Sequence, residues 1–283
     1  MTRENRGGIS LPVIPAEGES RIFAANRSRG RVVLSIDAAN GRSRRKRVYE
    51  DGALRVRFPH GDDLEAMIVN TAGGMAGGDR FALEFSIGAG AALTVTTAAA
   101  EKVYRSLGDD TAIDVRFDIG TGGSLRWLPQ ETILFDAAQL HRTIEIDLAA
   151  DATVLAAEAI VFGRTAMDEA VTHGQLFDRW RVRRAGKLIF ADTASLGGAI
   201  AEKLAQPAVA ARGLAVATVL LAPGDDAHVA AVRAQEFTGE VGISAWNGIA
   251  LARLVARDGE TLRRDLRLIL QSLGGALPRL WLN

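Results

Sequence analysis

Apolar and polar residues alternate over most of this chain, with glycine, aspartate and proline set between short segments. The clearest case is Thr111–Ile119, where Ile113, Val115, Phe117 and Ile119 alternate with Asp114, Arg116 and Asp118. Period-two alternation turns one row toward a core and the other toward water, which is the pattern of a half-buried strand. The same reasoning predicts strands at Arg31–Asp37, Leu54–Phe58, Ala66–Asn70, Phe81–Ile87, Ala92–Thr96, Ser124–Leu128, Glu131–Phe135, Leu140–Leu148 and Thr153–Phe162. Gln175–Arg183 and Lys187–Ala191 form a predicted hairpin across Arg184-Ala185-Gly186. Short glycine loops such as Gly88-Ala89-Gly90 and Gly120-Thr121-Gly122-Gly123 recur between strands, with no helices intervening. Such a pattern predicts a mainly β chain, a single elongated domain of stacked strands, solenoid-like or sandwich-like. No exact sequence repeat accompanies it.

The last third changes character. Ala199–Ala205 reads as a short helix, Leu214–Ala222 as a buried strand, and Ala227–Gln235 as a helix capped by Asp225-Asp226. Gly239–Trp246 and Gly248–Ala256 return to strand. In Gly259–Leu273 the apolar residues Leu262, Leu266, Ile269, Leu270 and Leu273 fall on one face of a 3.6-residue helix, with Asp258 as N-cap. About two helices are therefore expected in the C-terminal third. No Pro- or Ser-rich linker divides the chain, and residues 1–27 are expected to be a partly flexible extension.

Composition narrows the chemistry. The 283 residues carry 34 basic and 34 acidic side chains and no cysteine. Zero net charge argues against a dedicated nucleic-acid or membrane-surface binder, and the missing cysteine excludes disulfides and thiolate metal sites. No stretch has signal-peptide character or the roughly 20 apolar residues of a membrane span, so a cytoplasmic location is expected. The four histidines, His60, His141, His173 and His228, are too dispersed for a preformed zinc site. Charge is unevenly divided: residues 1–57 hold 13 basic and 6 acidic residues, a local +7 that leaves −7 for the remainder. Its densest part, Arg42–Arg47, follows the turn-like Ala39-Asn40-Gly41. It reads either as a solvated hairpin loop or as a docking patch for an acidic partner.

Two features carry candidate chemistry. Asn70–Asp79 holds four glycines but matches neither a P-loop nor a dinucleotide fingerprint, and reads as a tight loop that Asp79 closes through its side chain. Carboxylates also recur in apolar, strand-like settings at Glu101, Glu131, Asp136, Glu158 and Glu169. Glu131 and Asp136 would fall on opposite faces of a regular strand, which disfavours a hydrolase acid/base pair. Glu158, within Ala156–Phe162, needs a partner if buried, and Arg164 is the nearest arginine in sequence.

The order of these segments resembles the urease accessory protein UreD family, called UreH in some organisms. The motifs are Asn70–Asp79, Thr96-Thr97-Ala98-Ala99-Ala100-Glu101-Lys102-Val103-Tyr104-Arg105, Trp127-Leu128-Pro129-Gln130-Glu131-Thr132-Ile133-Leu134-Phe135-Asp136 and Glu158-Ala159-Ile160-Val161-Phe162-Gly163-Arg164. The likeness runs from about residue 28 to Trp281. One departure is Asp168, where a glycine is expected. The resemblance implies a non-enzymatic maturation factor that binds apo-urease and a UreF-like protein, through which a UreG-like GTPase is recruited. It also implies a passage for Ni²⁺ in transit, with no tightly bound cofactor. A passage needs donors that release what they bind, and carboxylates, carbonyls and water do so more readily than a Cys/His cluster. Asp79, Glu101, Glu131, Asp136, Glu158 and Glu169 are the candidate lining. The alternative is a docking scaffold without a metal route, with Arg44, Arg45, Arg47, Leu266 and Leu270 as candidate partner contacts. A carboxylate-based hydrolase is the enzymatic alternative.

Overall fold

A computed structural model of the chain describes residues 27–164, 169–274 and 276–282. Apart from Arg27, the expected N-terminal extension lies outside the described residues, as does Asp168. The strands are β1 (Arg29–Ala39), β2 (Arg42–Gly52), β3 (Leu54–Arg57), β4 (Glu65–Asn70), β5 (Arg80–Ile87), β6 (Ala92–Thr97), β7 (Glu101–Val103), β8 (Thr111–Ile119), β9 (Ser124–Trp127), β10 (Thr132–Leu134), β11 (Gln139–Leu148), β12 (Thr153–Phe162), β13 (His173–Arg184) and β14 (Lys187–Ala199). The short helix α1 (Ile200–Leu204) precedes β15 (Ala215–Ala222), α2 (Asp226–Arg233), β16 (Glu240–Trp246), β17 (Ile249–Ala256), α3 (Gly259–Gly274) and a 3₁₀ turn at Arg279–Trp281.

The chain winds as a solenoid. One sheet has the order β14-β13-β11-β8-β5-β1-β2, and the other β16-β17-β15-β12-β9-β6-β4-β3. Successive strands cross from one sheet to the other, so neighbours within each central sheet run parallel. Leu83, Val115, Ile144 and Trp180 consequently lie side by side, each one coil beyond the last. A short third side is made by β7, β10 and the end of β12, and Met75 bridges to Val103 on it. The inward rows fill the interior, where Phe85, Phe117 and Trp127 pack ring against ring.

Strand β12 is buried on both faces, which explains its unbroken apolar reading. Its even-numbered residues Val154, Ala156, Ile160 and Phe162 join the interior, while Leu155, Ala157, Ala159 and Val161 meet the apolar face of α3. That face includes Leu266 and Leu270, both fully buried. The proposal that they contact a partner is therefore corrected: a helix stripe this apolar is already covered by its own sheet. Asp225 and Asp258 act as caps, Asp225 accepting from the Ala227 and His228 amides and Asp258 from that of Thr261 at 2.7 Å.

A second correction concerns Arg42–Arg47, which is strand and not loop. Asn40 and Gly41 both take positive φ, 53° and 72°, and make a two-residue turn that leaves no length for a loop. The strand was hidden because β2 is an exposed sheet edge and has no buried row to alternate. Lys46 is the extra residue of a bulge opposite Ser35–Ile36. Charge and a bulge together keep such an edge from pairing indiscriminately. Arg44 is tied to Asp37 at 2.7 Å, and the Arg45 guanidinium lies over the Phe58 ring. At the other end of β2, Gly52 has φ 61°, and a Cβ there would come within 1.9 Å of the Arg29 carbonyl oxygen. Only glycine fits.

Candidate interior polar site

The six candidate carboxylates fall into three kinds of setting. Asp79 and Asp136 tie loops. Asp79, nearly buried, accepts from the Ala76 amide at 2.8 Å and the Ser28 amide at 2.7 Å, closing the glycine loop as its sequence position suggested. Asp136 accepts from the Thr172 amide and hydroxyl and from the His173 amide. These bonds fasten the start of β13 to the turn after β10.

Glu131 and Glu169 are ion-paired away from the interior. Arg263 of α3 reaches both oxygens of Glu131, at 2.9 and 3.2 Å, and also bonds Gln130 and the Leu280 carbonyl. The Trp281 ring lies beneath the same guanidinium, and its indole N–H donates to the Leu128 carbonyl at 2.9 Å. This cluster fastens the C-terminal segment to the solenoid. Glu169 pairs with Arg164 at 2.7 Å, and that guanidinium covers the Phe135 ring.

Glu101 and Glu158 meet at one cavity. It occupies about 50 Å³ of the solenoid interior, lined by residues from β3 to β12. That volume holds a few water molecules, provided polar partners are present. Its walls are mostly apolar, including Leu54, Ile68, Phe81, Leu83 and Val115, and its polar groups come from Asn70, Thr97, Glu101, Gln130, Thr132, Arg142 and Glu158. Glu101 takes one side-chain bond, from Asn70 Nδ2 at 3.0 Å, and among the described residues it has no cationic partner. Burial pushes its carboxyl above the ordinary value, and the Asn70 bond offsets this only in part.

Glu158 is held differently. Trp127 Nε1 donates to its Oε1 at 2.7 Å and Arg142 donates to its Oε2, so the expected Arg164 pairing is corrected to Arg142. Arg142 also makes a bidentate pair with Asp178, Nε to Oδ1 at 3.0 Å and Nη2 to Oδ2 at 2.7 Å. Two buried carboxylates thus share one cation, and Asp178 has the better geometry. Burial is the main cause that pushes the Glu158 carboxyl up to about 7, and the Asp178 charge adds to it. Arg142 and the Trp127 N–H pull the other way without prevailing. The Arg142 guanidinium is itself driven upward by its two carboxylates, against its burial.

The sign of the resulting pH dependence is fixed. An acid whose folded pKa lies above its unfolded value binds more protons when folded, so stability falls as pH rises between the two. Wild type is expected to lose about 3 kcal/mol at most relative to Glu158→Gln as pH rises from 4.5 to about 7, and nothing further above that. Paired urea titrations across this range measure the difference. A gap that stays flat with pH would contradict it.

Arg142 and Asp178 were not foreseen in the sequence, although a signal is there. Arg142 stands in the inward row of β11 with Leu140, Ile144 and Ile146, and Asp178 in that of β13 between Leu176 and Trp180. A charge in a core row needs a buried partner, and the two supply each other. Among the described residues, no three His, Asp or Glu side chains gather closely enough to hold a metal ion. No helix among them is long and apolar enough to cross a membrane.

The family model described as UreD urease accessory protein matches residues 28–282. A urease accessory protein UreD from Rhodopseudomonas palustris strain BisA53 is 52% identical over 276 residues, covering 96% of each chain. The UreD of Bradyrhizobium diazoefficiens is 52% identical over 268 residues, 93% of this chain and 97% of its own. Bradyrhizobium sp. strain BTAi1 has a urease accessory protein UreD 3 that is 50% identical over 274 residues, 95% of this chain and 99% of its own. With the motif order, the solenoid and near full-length identity in agreement, the chain belongs to the UreD family of urease accessory proteins.

Proposed function

We propose that this protein acts without catalysis in urease maturation, in the cytoplasm, as one body. It binds apo-urease together with a UreF-like protein, through which a UreG-like GTPase joins, and its interior cavity is a station for Ni²⁺ on the way to the urease active site. One observation carries the nickel part of this reading: Glu101 faces a polar-edged interior cavity without a cation beside it. A single carboxylate with amide and hydroxyl neighbours is an oxygen site that binds a divalent cation weakly and lets it go. The basic strand β2 supports the docking part. Among the described residues, Arg42 and Arg47 have no carboxylate partner, so this edge is left free to meet an acidic surface.

Co-purification with apo-urease and the UreF-like protein, followed by nickel-dependent activation with and without this chain, tests the assignment. Activation that does not rise when the chain is added would overturn it. The docking-scaffold reading draws on the other carboxylates, most of which are occupied by arginines or amides. Glu131→Gln separates structure from transit. With half of its Arg263 clamp gone, it is expected to lose about 1–3 kcal/mol of stability and to leave nickel delivered per assembled complex unchanged. Thermal denaturation and nickel analysis of the same preparation read both quantities.

A further inference from the structure

The cavity is not symmetric along the solenoid. Its polar groups begin at Asn70 and Glu101 and end at Arg142 and Glu158, on β11 and β12. At that inner end Glu158 and Asp178 approach each other from two sheets, both buried, and the Arg142 guanidinium stands between them. Two opposed carboxylates with a cation between them are what a divalent metal ion would require, and here the protein supplies the cation itself. Guanidinium cannot be deprotonated in a protein, so no physiological pH empties this position. At so buried a position its charge repels any second cation arriving from the Glu101 side.

We propose that Arg142 is a gate residue: its guanidinium occupies the seat of a divalent cation between Glu158 and Asp178, and closes the inner end of the cavity. The inference rests on the nickel-passage reading and adds its control. A cation that enters as far as Glu101 stops there while Arg142 is in place. It passes inward only if the guanidinium leaves Glu158.

Nickel binding to the full-length chain at pH 8, by equilibrium dialysis, tests this without urease. In wild type, Glu101→Gln is expected to abolish the weak binding, whereas Glu158→Gln lowers it far less, because Arg142 already masks that carboxylate. Arg142→Met, similar in length but uncharged, is expected to bind Ni²⁺ at least about tenfold tighter, since it adds two free carboxylates to the donor set. Trp127 donates to Glu158 at 2.7 Å, so Ni²⁺ seated there quenches its emission. That quenching is expected in Arg142→Met and reduced in Arg142→Met/Trp127→Phe, where Trp180, beside Asp178 in the same inward row, keeps the remainder. If Glu158→Gln weakens wild-type binding as much as Glu101→Gln does, Arg142 masks nothing and the gate is overturned. Tight binding that never appears in folded Arg142→Met overturns it as well. Should Arg142→Met not fold, the Glu158→Gln comparison decides alone. Failure of the passage reading looks different: Glu101→Gln would then change neither binding nor activation.

Discussion

Arg142→Ala is expected to destabilise the folded protein by about 3–5 kcal/mol, because it strands two buried carboxylates that now share a single cation. Arg142 is only 3% exposed, and its five-donor fork serves both Asp178 and Glu158. After truncation Glu158 keeps the Trp127 N–H, while Asp178 loses both strong bonds. Each carboxyl must then take up a proton or stay charged in an apolar interior, so the loss is smaller at acid pH than at pH 8. Urea denaturation read as a shift in midpoint at constant slope measures it. The triple variant Arg142→Ala/Glu158→Gln/Asp178→Asn is expected to recover much of the loss, since it removes the unpaired charges with the cation. A loss below about 1 kcal/mol for Arg142→Ala would place the triad among surface-like pairs, contrary to its burial.

Trp281→Ala is expected to have an effect of similar size, about 3–5 kcal/mol, although it lies two residues from the end of the chain. The ring is fully buried, stacked under Arg263, and its N–H satisfies the Leu128 carbonyl. Removing it empties the pocket between α3 and the solenoid, orphans that carbonyl and loosens the Glu131–Arg263 clamp. Trp281→Phe separates the contributions, because it keeps most of the apolar volume and loses only the hydrogen bond, at about 1–3 kcal/mol. Hydrogen exchange should show faster opening of residues 128–131 in both variants, more so in the alanine variant. An alanine variant as stable as wild type would mean that the C-terminal segment is an ornament on the fold.

What the sequence discloses follows from which interactions are local. Thr111–Ile119 is readable because from Ile113 onward its inward residues are apolar and its outward ones charged. The stripe in Gly259–Leu273 is equally plain, yet amphipathicity cannot say what covers it: Leu266 and Leu270 could as well meet a partner, and it is their own sheet that covers them. Strand β2 carries no period-two signal because an exposed edge has no apolar row. The winding of the solenoid was legible only as regular spacing. Neighbouring coils repeat a residue at some rungs, as Phe85 and Phe117 do, but differ at most, as Leu83, Val115, Ile144 and Trp180 do, and share mainly the inward direction.

The site was legible as a set of residue types and not as an arrangement. Buried carboxylates announce that they need partners, but the partner is chosen in three dimensions. Arg164 lies six residues from Glu158 and turns to Glu169, whereas Arg142 reaches Glu158 from the opposing sheet. Of the six candidates, Glu101 and Glu158 come together at the cavity, and the other four hold loops and the C-terminal segment in place. The sequence carries no local mark of that division.

The central claim is that nickel passes by Glu101. Its most direct test is the nickel content of urease recovered after activation with the Glu101→Gln variant, alongside the yield of the assembled complex. Glutamine keeps the shape and the Asn70 contact and removes only the charge. The account predicts full assembly with nickel loading reduced about tenfold, the effect of removing the charged donor from an all-oxygen site. Normal nickel loading by the intact variant complex would contradict it.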